Sequence, residues 1–236
     1  EAAAMLLRVA TPQVRSVGTV GGSVAFARAH AAFPSDVALL LIAARATVRA
    51  ADVASGAVFT LSVEEYLAGE DAGKRLLLVS FDLTVESEGT SVMLQKVAKR
   101  SHNAHSLASL ALRLEPGTAP LVAVGGVSNV EVAGAAIVRC ARAEAALSGS
   151  SLGDKSTLPA FLAALQSDLS AAGGSQARLA LASGVAYRAY LRTLPEASLP
   201  PRLATAARPP EREPGRGAVE WTGATDPAAA PVGLPM

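Results

Sequence analysis

The chain has 236 residues, half of them hydrophobic, with a net charge of +1 and a single cysteine. That length holds one large domain or two small ones with a real core, and a charge so near zero leaves no electrostatic footprint for nucleic acid or a membrane surface. Cys140 on its own excludes an internal disulfide, a structural zinc site and an iron–sulfur cluster held by this chain's thiolates, and points to a reducing, cytoplasmic compartment.

Aromatic residues make up only 4% of the chain, so the core must be built from Ala, Leu and Val, each contributing modest area. The longest apolar run, 37–44, is too short to span a bilayer. Glu1 to Met5 reads as the middle of a helix, with no signal-peptide pattern after it, and the chain is read as a piece of something longer.

Residues 2–8 are expected to end a helix before Pro12. Gln13-Val14-Arg15-Ser16-Val17-Gly18-Thr19-Val20-Gly21-Gly22-Ser23 then joins a basic approach to a tight glycine turn flanked by two hydroxyls. Glycine lets a ligand approach the main chain, and convergent N–H groups can form an anion-binding concavity. The glycines fall as G-x-x-G-G and no lysine follows, so neither the dinucleotide fingerprint nor the P-loop is present. A plain connecting turn is the competing reading.

Ser35 predicts an N-cap and Asp36 a first-turn acid for a helix over 37–44. Strands are expected at 47–51 and 58–62 around a turn at 52–56, followed by a short helix from Ser62 with capping-box spacing to Glu65. Residues 76–85 read as a strand, and 86–89 as the boundary between two domains. Beyond it, strands at 92–97, 107–114 and 121–127 predict a three-stranded antiparallel sheet. Helices over 132–147, 158–169 and 177–194 should cover one face of it. From 196 to 236 the proline-punctuated composition predicts a disordered, flexible linker, with Trp221 as an isolated anchor. The fold class is therefore α+β.

His30, His102 and His105 are the only histidines, with no Gly-x-Ser-x-Gly elbow and no nearby carboxylate or cysteine partner. Neither a hydrolase nor a metal site is predicted.

The segment Gln13 to Ser23 resembles the second FAD-binding motif of the xanthine dehydrogenase and aldehyde oxidase flavoproteins. Residues 33–40, opening Phe33-Pro34-Ser35-Asp36, resemble the segment after it, in wording nearest the plant-type aldehyde oxidases. Residues 76–83, 95–100 with Asn103-Ala104, 124–127 and 182–188 are similar to later family segments, and 231–235 to the opening of the molybdenum domain.

The resemblance implies a partial FAD-binding (PCMH-type) subdomain over 1–86, a C-terminal flavoprotein subdomain over 90–195, and a linker toward a molybdenum domain. It implies an oxidoreductase module that passes electrons from iron–sulfur centres through FAD to oxygen or a nicotinamide. The parent is expected to hold a molybdenum cofactor and two 2Fe-2S clusters outside this segment, and to be a homodimer. Thr19, Val20, Gly21, Gly22 and Ser23 fall on family FAD contacts, Asp36 on a family carboxylate, and Leu78 and Lys96 on positions near the flavin ring. For Lys96 a solvated strand lysine, for Leu78 plain core, and for Asp36 the helix N-terminus are the alternatives.

Three departures bear on the site. Ser23 stands where the family has Asn, Val9 where an aromatic is frequent, and the family's first glycine-rich loop is not in this chain. The isolated chain is therefore expected to be inactive and to bind FAD weakly at most. A truncated, non-catalytic scaffold or interaction module is the alternative function.

Overall fold

A computed structural model describes residues 5–7, 9–69, 75–84, 87–100, 103–148 and 155–207. Arg8, His102, Trp221, the 231–235 segment and the rest of the tail after Ala207 lie outside the described residues.

Helix α1 (Pro12–Val17) begins with proline at its first turn and Thr11 as N-cap, a position where the missing N–H costs nothing. Helix α2 (Val20–Ala29) follows, capped by Thr19, whose hydroxyl accepts from the Gly22 amide at 2.9 Å. The expected tight turn is thus corrected: Gly21 and Gly22 form the first turn of a helix. Their backbone is not left-handed, because a hydroxyl cap at Thr19 satisfies the helix start locally. Glycine has a different use at position 22, where an added Cβ would sit 3.0 Å from the capping oxygen of Thr19.

Helix α3 (Asp36–Ala43) starts at Ser35, whose Oγ accepts from the Ala38 amide at 3.1 Å. It is buried along almost its whole length. The chain then makes β1 (Thr47–Asp52) and β2 (Val58–Ser62), helix α4 (Val63–Ala68) and β3 (Leu76–Asp82). These strands form an antiparallel sheet in the order β2-β1-β3. The Ser62–Glu65 capping box is complete, with Ser62 N–H to Glu65 Oε2 at 2.6 Å and the return bond at 3.1 Å.

The second half holds β4 (Ser91–Ala98), β5 (Ser106–Glu115) and β6 (Thr118–Gly125), the expected three antiparallel strands. A short fourth strand, β7 (Ile137–Arg139), extends this sheet beside β6. Its presence corrects the expected single helix over 132–147. Helix α5 (Val130–Ala133) stops at Gly134, which takes the left-handed conformation with φ 72°. The chain then pairs with β6 before helix α6 (Ala141–Leu147) begins. Helical spacing of apolar residues could not distinguish these pieces, because a left-handed glycine ends a helix whatever the spacing around it. Helices α7 (Leu158–Ala171) and α8 (Gln176–Thr193) match their expected positions.

Residues 196–207 depart from the expected linker. A 3-10 turn at Glu196–Ser198 and helix α9 (Pro201–Ala207) follow, with Leu199 and Ala207 buried in the same core as α8.

Helices α6, α7 and α8 cover one face of the second sheet around Leu110, Leu112, Phe161 and Leu165. The other face, with Leu94, Ala111, Leu121 and Ala123, packs with α3 and the first sheet. So the second sheet is covered on both faces, where one helical layer was expected. Parity along β5 explains it: successive side chains point to opposite faces, and both parities are buried. Arg113 is fully buried on this strand, donating to the Ala43 carbonyl at the end of α3 (3.3 Å) and to Glu115 (3.1 Å).

Candidate functional site

Helix geometry leaves the first N–H groups of α2 without intrahelical acceptors. Thr19 takes that of Gly22, and the amides of Val20 and Gly21 head the helix where its dipole favours an anion. Thr19, Gly22 and Ser23 line an open cleft of about 630 Å³, a size typical of cofactor sites.

Asp36 enters this cleft at the first turn of α3, and Lys96 enters from β4. The two form a buried ion pair, and Ser106 Oγ donates to the second Asp36 oxygen at 2.6 Å. Ser35 caps the same helix, so the sequence Ser35-Asp36 both starts α3 and aims the carboxylate. Asp36 therefore does more than complement a helix dipole, and Lys96 is not a solvated strand lysine: its side chain is 4% exposed.

Five of the eight residues singled out from the sequence meet on this cleft: Thr19, Gly22, Ser23, Asp36 and Lys96. Val20, Gly21 and Leu78 are not on its wall. Val20 is exposed on α2. Leu78 is half-buried on β3, packed against the core, and its Cβ would lie 3.9 Å from one added to Gly21. It supports the glycine turn of the helix from below.

The sequence reading did not pick out Phe26, Phe33 and His105 as cleft residues, nor Ser106 as a partner of Asp36. Phe26 lies on α2, Phe33 just before α3 and His105 just before β5. Their rings, with His30, form a row with centroid separations of 4.3, 5.0 and 5.2 Å. A signal existed. Thr19, Gly22, Ser23, Phe26 and His30 share one helical face, which becomes legible only once Val20 starts a helix. His105 and Ser106 had none, since the loop after β4 and the start of β5 deliver them from far along the chain.

A second, wider cleft of about 930 Å³ adjoins the first across Phe26, Phe33 and His105, and is flanked by Lys99, Arg100 and Arg178. Among the described residues, no group of three or more His, Cys, Asp or Glu is placed to hold a metal. No described helix is long and apolar enough to cross a membrane.

A helix start, two hydroxyls and a carboxylate–ammonium pair around a largely apolar cleft suit a ligand with a phosphate at one end and a planar ring at the other. FAD has that chemistry, and the residues present fit it. Comparison with known proteins points the same way. A probable aldehyde oxidase 1 from Oryza sativa subsp. japonica is 40% identical over 76 residues, 32% of this chain and 5% of that protein. The fold is similar to that of carbon monoxide dehydrogenase from Hydrogenophaga pseudoflava, with a TM-score of 0.59 and 22% identity over 76% of this chain and 61% of the other. Quinoline 2-oxidoreductase from Pseudomonas putida 86 gives a TM-score of 0.59 and 23% identity over 80% and 65%. The chain thus spans a small part of its plant relative and just under two thirds of these structures. Residues 1–82, which carry the helix start, Asp36 and β1 to β3, match the family described as the FAD binding domain in molybdopterin dehydrogenase.

Proposed function

We propose that this chain holds FAD in the cleft between α2, α3 and β4, as the electron-transfer module of a molybdenum hydroxylase of the xanthine dehydrogenase and aldehyde oxidase kind. FAD, when bound, supplies the redox chemistry, taking electrons from iron–sulfur centres and delivering them to oxygen or a nicotinamide. The observation that carries the reading is the meeting of Thr19, Gly22 and Ser23 with Asp36 and Lys96 on one cleft wall.

The chain's own residues bind and orient. The Ser23 hydroxyl on the cleft wall donates to phosphate oxygens, and the dipole of the helix that Val20 and Gly21 head favours the anion from behind it. Asp36 spends one oxygen on Lys96 and the other on Ser106, and still has lone pairs for a sugar or ribityl hydroxyl. Lys96 has three donors; one is committed to Asp36, and the others are available to steady negative charge on the ring. Leu78 acts by packing beneath Gly21.

The same reading makes 1–86 the FAD-binding part, 90–195 the C-terminal flavoprotein part, and the residues after it the connection to a molybdenum domain. It also carries a homodimeric parent in the cytoplasm, with iron–sulfur and molybdenum domains as partners.

Titration with FAD, followed by flavin fluorescence and backbone NMR, tests the site. Weak, saturable binding with amide shifts centred on Val20 to Ser23 is the expected result. Gly22→Val, which drives a side chain onto the Thr19 cap, should weaken it about tenfold or more, the scale of a lost charge-assisted hydrogen bond. Shifts confined to other regions, or an unaltered Gly22→Val titration, overturn the assignment. No response at all favours the scaffold alternative.

A further inference from the structure

The cleft is more apolar than an anion site needs. Phe26 is 48% exposed on its wall, in a chain where aromatics are scarce. It stands on the same face of α2 as Thr19, Gly22 and Ser23, seven residues beyond the cap. At the helical rise that is about 10 Å along the axis, room for a ribityl chain between a phosphate at the helix start and a ring over Phe26.

The side chain is also held in place. Phe33 meets it edge-on, with planes at 87° and centroids 5.0 Å apart, and His30 leans on it at 43° and 4.3 Å. These contacts restrict the ring while leaving nearly half of its surface open. A rigid exposed aromatic is the usual platform for a planar heterocycle.

Resting on the flavin reading above, we propose that Phe26 is a stacking residue for the isoalloxazine ring. The helix start and Phe26 then act as a two-point grip, phosphate at one end and ring at the other.

Backbone and aromatic NMR titrations with FMN and with inorganic pyrophosphate test it on the whole chain. Both ligands should shift the amides of Val20 to Ser23, and only FMN should shift the ring protons of Phe26. Phe26→Leu should raise the Kd for FMN about tenfold, within the range for loss of one stacking partner, and leave pyrophosphate binding unchanged. Phe26→Trp should keep or tighten FMN binding, which separates stacking from any disturbance of the helix. FMN binding equal in wild type and Phe26→Leu, with no ring-proton shift, overturns the stacking role while the helix-start site stands. If neither ligand shifts Val20 to Ser23, the flavin site itself fails, and the stacking proposal fails with it.

Discussion

At the scale of single residues, the buried triad of Lys96, Asp36 and Ser106 is the most consequential arrangement. Removing one partner of a buried ion pair leaves the other charge uncompensated, at a cost of about 3–5 kcal/mol. Asp36→Asn and Lys96→Met are each expected to fall near that range in urea unfolding. The double variant should lose less than the sum, because no orphaned charge remains. Ser106→Ala should cost less than either, since the ion pair persists. Cys140 makes the opposite point. It is fully buried, and burial, followed by the nearby Asp168 and Glu144 carboxylates, pushes its thiol well above the usual range. A thiolate-dependent reagent should leave it unmodified in the native protein and label it only on unfolding, which a timed thiol assay with and without denaturant measures. The residue types Asp36 and Lys96 could be picked out from the chain, but not their bond, since sixty positions separate them.

At the scale of elements, caps decide where helices begin. Thr11, Thr19, Ser35, Ser62 and Asn129 each accept from an amide of the turn they start. The Ser35 and Ser62 starts could be read directly, because a hydroxyl before an apolar run is a local signal. The Thr19 start could not, because two glycines in a row read more naturally as a turn. Ser62→Ala should cost about 1 kcal/mol. The Ser62 backbone N–H, then its hydroxyl, holds the Glu65 carboxyl below its ordinary value. A depressed folded value means that this contribution is complete above the unfolded carboxylate value of about 4.3 and is lost as pH falls through the folded one. Melting temperature followed on acidification should therefore drop less steeply in Glu65→Gln than in wild type.

At the scale of the whole molecule, α3 is the shared piece. Leu39, Leu41 and Ile42 belong to the core that also holds Val48 from the first sheet and Ala111, Leu121 and Ala123 from the second. Polar ties cross the same junction. Arg139 on β7, held by Glu144 within its own half, pairs with Glu64 on α4 at 2.8 Å, and Arg45 donates to the Ala119 carbonyl. Two halves built around one helix should unfold together. A single transition by calorimetry is expected for the chain, and Leu39→Ala should lower it by an amount equivalent to about 2–5 kcal/mol. Residues 90–207 expressed alone should bind a hydrophobic dye strongly, because the face around Leu121 and Ala123 loses its cover. Two separate transitions, or a dye-silent second half, would contradict this picture.

Most strands and the long helices followed from the sequence by itself, because alternation, helical spacing and capping are written over a few neighbouring residues. Tertiary structure alone decided the rest. It turned a glycine bend into a helix start, placed β7 inside an apparent helix, seated α3 between two sheets, and brought Lys96 and Ser106 to Asp36. Each depends on which distant surface a segment meets, and short-range pattern carries no information about that distance.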